Sequence, residues 1–178
     1  YIREAQALAQ NSGVLVKIIE GRAELLPFSG QKFDFVNCAE VNEHVDDPVA
    51  MCREIFRVLK PNCKSYVSFH NRYGFYDYHY NLLFINWLPR FLAEKVASLF
   101  GRAKKDSPEI GRQSLTAMHY YTFFKIKIIL QNIGFKVRDI RVDKIKSRFG
   151  LLAPSALSVY WLIARPFYFN TFHVLVEK

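Results

Sequence analysis

The sequence predicts an α/β fold, a mostly parallel sheet with helices on both faces. Residues 33–69, FDFVNCAEVNEHVDDPVAMCREIFRVLKPNCKSYVSF, carry most of the argument. Residues 33–38 are an apolar run rich in aromatic and β-branched side chains, as a strand buried on both faces requires. Asp47 can cap a helix, and Pro48 then takes the first helical position. Cys52, Ile55, Phe56 and Leu59 share one helical face, which predicts a helix over residues 48–60. Lys60 falls in its last turn, where the helix dipole favours a cation. Pro61 cannot continue the helix, Asn62 tolerates a left-handed turn, and residues 64–69 supply a second strand. Strand, crossover helix and strand make a right-handed parallel unit.

The remaining elements follow in order. Ile2, Ala5, Leu8 and Ala9 have helical spacing, and residues 11–13 stop that helix. Residues 14–19 read as a strand and residues 21–28 as a loop. Residues 80–88 read as a helix that Pro89 interrupts. Phe91, Ala93, Val96, Ala97 and Phe100 share a face of a second helix, and a basic loop follows over residues 101–108. A helix over residues 119–132 ends at Gly134. Residues 136–142 are a strand, 144–148 a solvated basic loop, 153–164 a short helix and 171–176 a last alternating strand.

Length and composition narrow the functional classes. A chain of 178 residues suits one domain, and 51% hydrophobic with 16% aromatic residues excludes a disordered chain. A net charge of +9 favours anionic partners such as nucleic acid, lipid headgroups or phosphorylated substrates; a solvated basic surface explains it equally well. Cys38, Cys52 and Cys63 are odd in number and lack metal-site spacing, which points to a reduced, cytoplasmic protein. The longest apolar run, residues 151–164, contains Pro154 and two serines and falls short of the ~18 residues a membrane span needs.

The stretch GRAELLPFSGQKFDFVNCAEVNEHVDDPVAMCREIFRVLKPN resembles the middle of a class I S-adenosylmethionine-dependent methyltransferase of the type 11 kind. The resemblance spans residues 1–70 and weakens beyond them. It implies a Rossmann-like sheet closed by an antiparallel C-terminal hairpin, with residues 1–178 as a single domain. It also implies S-adenosylmethionine as cofactor and methyl transfer to a small-molecule or lipid-linked acceptor. In that family two strands and a glycine-rich loop precede the opening helix. The glycines here form no G-x-G-x-x-G fingerprint, so the domain is expected to be N-terminally incomplete and to bind the cofactor weakly in isolation.

The resemblance also assigns candidate residues. Gly21, Arg22 and Ala23 correspond to the adenine loop. Arg22 stands where an acid is usual and cannot accept a hydrogen bond, whereas the Ala23 amide can donate one. Ala39 and Glu40 follow the strand's carboxyl end, the edge where ligands bind in open α/β sheets. There Ala39 lets the cofactor's sulfonium end approach, and Glu40 steadies a hydroxyl or cation or is a solvated acid. His44, His70 and His79 are the candidate general bases, each with a structural role as the alternative. No metal ligand set is assigned.

Residues 71–112 read as an inserted, lid-like helical segment. It is dense in aromatics, with Arg90, Lys95, Arg102, Lys104, Lys105 and Arg112 on an outer face suited to peripheral contact with an anionic membrane. Aromatics that merely fill a core are the other reading. The rival function is a non-catalytic methyltransferase-like interaction protein that has lost its cofactor. Nucleic acid is not singled out as a partner, because no N-P-P-[YF] tetrapeptide follows the 33–38 strand.

Overall fold

A computed structural model describes residues 2–102 and 113–178. Strands β1 (Phe33–Cys38), β2 (Leu59–His70), β6 (Thr171–Glu177) and β5 (Lys136–Asp139) form one mixed sheet in that order. β1 and β2 are parallel, with Val36 beside Ser65 and Cys38 beside Val67. β6 runs antiparallel to both β2 and β5. Helix α2 (Pro48–Val58) crosses between β1 and β2, as the sequence predicts. The Asp47 carboxylate accepts from the amides of Val49 and Ala50, which satisfies donors the first turn leaves open. Asn62 does take the left-handed conformation, at φ 61°. Lys60 lies in β2 rather than in the helix and pairs with Asp34 at 2.7 Å.

One sheet face carries the core. Cys38 of β1, Val67 and Phe69 of β2, and Phe172, Val174 and Val176 of β6 pack against Met51, Cys52 and Ile55 of α2. Ile126 and Leu130 of helix α4 (Phe123–Ile133) complete that layer. Gly134 ends α4 at φ 116°, and a Cβ there would stand 3.1 Å from the Phe56 ring. On the opposite face helix α5 (Ile140–Phe149) lies against β6. Lys178 fastens the C-terminus by donating to the carbonyls of Phe56 and Leu59.

Several local expectations are corrected. Residues 14–19 are exposed and irregular, and among the described residues no strand lies beside β1 to pair with them. β1 is accordingly an edge, and Phe35 is half exposed rather than buried on both sides. Helix α1 (Ile2–Asn11) buries no side chain. Residues 80–88 are not a helix: short strands β3 (Tyr76–Asp77) and β4 (Leu82–Leu83) pair, and a 3₁₀ turn follows at Ile85–Trp87. Asp77 drives this, its carboxylate accepting from the amides of His79 and Tyr80 and from Asn86 Nδ2. Helix α3 (Arg90–Leu99) buries Ala93 and Ala97 but leaves Phe91 and Phe100 exposed.

Helix α4 starts at Phe123 rather than at residue 119, because Thr122 caps it. The 136–142 strand ends at Asp139, whose carboxylate caps α5, so the basic 144–148 run is helical. Helix α6 (Ala153–Val159) continues as a π-helix over Tyr160–Tyr168. The closing antiparallel pair is thus joined by helices rather than a tight turn. No helix of the described residues is long and apolar enough to cross a membrane.

Two excursions meet above the carboxyl ends of β1 and β2. After His70 the described residues 71–102 and 113–121 lie off the sheet, and the chain is back at it where Tyr121 bridges Asn71. Within them Tyr80, Ile85, Ala93, Ala97, Leu115 and Met118 form a second small core. The helices between β5 and β6 form the other excursion. Asn71, almost fully buried, donates to the carbonyls of Arg165, Pro166 and Phe169 and joins the two. Phe75 stacks on Tyr168 at 5.4 Å, and Trp87 meets Phe167 at 5.7 Å.

Candidate functional site

The parallel unit brings Ala39, Glu40, Glu43, His44 and His70 to one edge of the sheet. β1 ends at Cys38, so Ala39 sits exposed just beyond its carboxyl end. Glu40 follows in a left-handed conformation, φ 54°, which is strained for a residue with a Cβ. Ser68 holds it there: the Glu40 amide donates to Ser68 Oγ, which in turn donates to the Glu40 carboxylate, both at 2.8 Å. Asn42 Nδ2 donates to the Ser68 carbonyl and pins the next turn.

His70, at the end of β2, places Nε2 2.9 Å from Glu40 and 3.1 Å from Glu43. Burial works against its charged form, but the two carboxylates outweigh it and raise its pKa to about 9. The same contact, with the Ser68 hydroxyl, holds Glu40 down at about 2. His70 is therefore an imidazolium at neutral pH and has no lone pair to offer as a base.

The other two histidines are oriented differently. His79 lies 4.9 Å from His70 and 5.4 Å from His44, ring to ring. Tyr120 donates its hydroxyl to Asp77 at 2.7 Å, so its oxygen accepts from His79 Nδ1 at 3.1 Å. That leaves the lone pair on His79 Nε2. Burial and the nearby His70 cation push His79 down to about 4, so it is neutral at pH 7. His44 Nδ1 donates to Gln113 Oε1 at 2.7 Å, while its Nε2 faces Glu43 at 3.6 Å. Gln113 Nε2 returns a bond to the His44 carbonyl. The structure thus gathers all three sequence candidates, with His70 a cation, His79 a neutral imidazole and His44 held by Gln113.

Glu43, Gln113, Asp77 and Tyr120 are the partners that the sequence reading did not select. They come from four separate stretches, and only the fold brings them together.

The adenine-loop candidates lie beside this edge. Arg22 ion-pairs with Asp46 at 2.6 Å and Glu24 at 3.6 Å. Glu24 Oε1 accepts from the Asp46 amide at 2.9 Å, which ties the 21–28 loop to the turn before α2. Arg57 donates to the carbonyls of Leu26 and Phe28, and Glu54 accepts from the Leu26 amide. Ala23 packs on the main core, and Gly21 approaches Pro27 so closely that a Cβ would stand 3.0 Å from it. Ala23 is thus partly buried against the core, and Ala39 is open to solvent. Arg22 supplies no acceptor for an adenine amino group.

Of the basic residues assigned to an outer face, Lys95 and Arg102 are exposed. Arg90 points inward instead, 4.3 Å over the Tyr120 ring, with burial lowering its pKa. Lys104, Lys105 and Arg112 lie outside the described residues.

Known proteins agree with this architecture. Residues 1–67 match the family model described as a methyltransferase domain. The Bacillus subtilis YcgJ protein superposes with a TM-score of 0.58 at 16% identity, over 99% of this chain and 77% of that one. An S-adenosylmethionine-dependent methyltransferase from Methanosarcina mazei gives 0.55 at 21% identity, over 99% and 76%. The fold is similar to that of these Rossmann-like methyltransferases, and residues 1–67 match the sequence model of a methyltransferase domain. More narrowly, 72 residues are 39% identical to the ubiquinone biosynthesis O-methyltransferase of Pseudomonas fluorescens strain SBW25. That match covers 38% of this chain and 30% of the relative's length. The cofactor to which these likenesses point is S-adenosylmethionine, as the resemblance implied.

Proposed function

We propose that the chain transfers a methyl group from S-adenosylmethionine to a hydroxyl of a small or lipid-linked acceptor. The observation that carries this reading is the convergence of His44, the neutral His79 imidazole and the buried Glu43 carboxylate at the edge that carries Ala39. Ala23 and Ala39 would border the cofactor, which supplies an electrophilic methyl when bound. Glu40, held by Ser68 and His70, fixes the loop between cofactor and acceptor. His79 Nε2 takes the hydroxyl proton, and the aromatic excursions exclude water and align the acceptor oxygen. On this reading the described residues 71–102 act as a lid.

The surface supports delivery of the acceptor from an anionic bilayer. Leu151, Leu152, Leu162 and Ile163 are exposed, and Trp87 and Trp161 are nearly half exposed, all on the two excursions. Lys144, Lys146 and Arg148 on α5 are exposed close in sequence to Leu151.

The test is methyl transfer by the full-length protein from labelled S-adenosylmethionine to hydroxylated aromatics with and without an alkyl tail. Labelled ether product, reduced at least tenfold in His79→Asn, is expected. Label on amine acceptors only, or none, contradicts the reading. Arg22 favours a second reading, a protein that keeps the fold without the cofactor. Calorimetry of the full-length protein with S-adenosylmethionine separates the two, since micromolar binding removes the second.

A further inference from the structure

We infer that Glu43, His44 and His79 form a binding site for a divalent first-row transition ion, of which Zn²⁺ is the type. A carboxylate oxygen and one ring nitrogen from each histidine lie within 4.8 Å of one another. Geometry at each ligand supports the site independently. Glu43 is fully buried and its Oε2 has no hydrogen-bond partner among the described residues. An unpaired buried carboxylate oxygen is costly unless a cation or donor meets it. Its other oxygen is held by His70 Nε2 at 3.1 Å and faces His44 Nε2 at 3.6 Å, so the carboxylate opens onto the cluster.

Both imidazoles are prepared in the manner of metal ligands. Such a histidine is usually oriented by a hydrogen bond from its second nitrogen, which fixes the tautomer and frees the first. His44 Nδ1 donates to Gln113, itself anchored on the His44 carbonyl. His79 Nδ1 donates to Tyr120, which Asp77 orients. Both Nε2 lone pairs are thereby left for a ligand. His70 completes the surround as the partner of Glu43. Two imidazoles and one carboxylate suit zinc, manganese, iron or cobalt better than calcium or magnesium, which prefer all-oxygen shells. Three protein ligands leave a coordination position open, as catalytic rather than structural sites do.

The site lies in the cluster assigned above to proton removal, but it does not rest on that reading. With an ion bound, the two imidazole lone pairs are committed to it, and an acceptor oxygen would meet the ion in the open position.

The experiment is titration of the chelator-treated full-length protein with Zn²⁺ alone and Co²⁺ alone, by calorimetry and by visible absorption of the cobalt form, without methyl donor or acceptor. We expect one ion per chain, at least tenfold weaker binding in His79→Asn and Glu43→Gln, and unchanged binding in His119→Asn. Mg²⁺ at the same concentration should not compete. Should Glu43→Gln fail to fold, the partly exposed His79 carries the test, with circular dichroism as the check on folding. Equal binding by wild type and His79→Asn, or none by wild type, overturns the site. Methyl transfer that persists without ion binding leaves the proposed function standing and removes only the metal.

Discussion

His70 is charged because two carboxylates face it, and this sets a pH dependence. A histidine whose folded pKa is raised from 6.5 to about 9 contributes stability that is complete below pH 6.5 and is lost as pH rises through 9. Glu40 acts on the acid side, where stability present above its ordinary pKa of 4.5 is lost as pH falls toward 2. His79 also acts there: held neutral in the fold, it costs stability as pH falls from 6.5 toward 4. The optimum should therefore lie near pH 6.5. Urea denaturation should show wild type losing up to ~3 kcal/mol between pH 6.5 and 9, with His70→Gln losing much less. Identical slopes for the two proteins would show that the Glu40–His70–Glu43 contacts contribute nothing.

Among elements, the join between the two excursions depends on Asn71. Its amide donates to three carbonyls at the end of the π-helix, and its Oδ1 accepts from the Tyr73 amide. Asn71→Ala leaves those buried groups unmet and should cost about 1–3 kcal/mol. Hydrogen exchange should rise in residues 72–77 and 165–170 and stay unchanged in α2; a uniform rise would mean that the excursions do not open separately from the sheet. The turn after α4 is a second such point. Gly134→Ala places a Cβ at positive φ against Phe56 and should cost at least ~1 kcal/mol in chemical denaturation, because Lys178 and Phe135 also crowd that ring. A neutral effect would mean that the Phe56 ring moves aside without penalty.

At the level of the molecule, the excursions enclose a small core of their own but leave Trp87, Leu151, Trp161 and Leu162 open to solvent, as Lys144, Lys146 and Arg148 of α5 are. Flotation of the full-length protein with anionic and neutral vesicles tests the proposed membrane contact. Recovery should favour anionic vesicles, fall in high salt, and fall again in Leu151→Glu and Leu162→Glu, since each exposed Lys or Arg near such a bilayer is worth ~1 kcal/mol. Recovery that ignores lipid charge and salt would restrict the protein to water-borne acceptors.

The parallel unit was legible from the sequence because its signals are local. Asp47, Pro48 and Asn62 act within one turn of themselves, and the apolar run of β1 and the face of α2 need no distant partner to be recognised. The family motif around Glu43 and His44 is likewise contiguous. Tertiary contact decided the rest. Residues 14–19 have a strand's composition but no neighbour to pair with, and backbone groups without a ladder stay solvated. The 80–88 stretch has a helix's apolar content, yet the Asp77 carboxylate captures its amides into a turn. The roles of the three histidines were hidden for the same reason. His70 became a cation and His79 a neutral imidazole only when Glu40, Glu43 and Tyr120 closed around them, because burial and neighbouring charge, not residue type, set where an imidazole holds its proton.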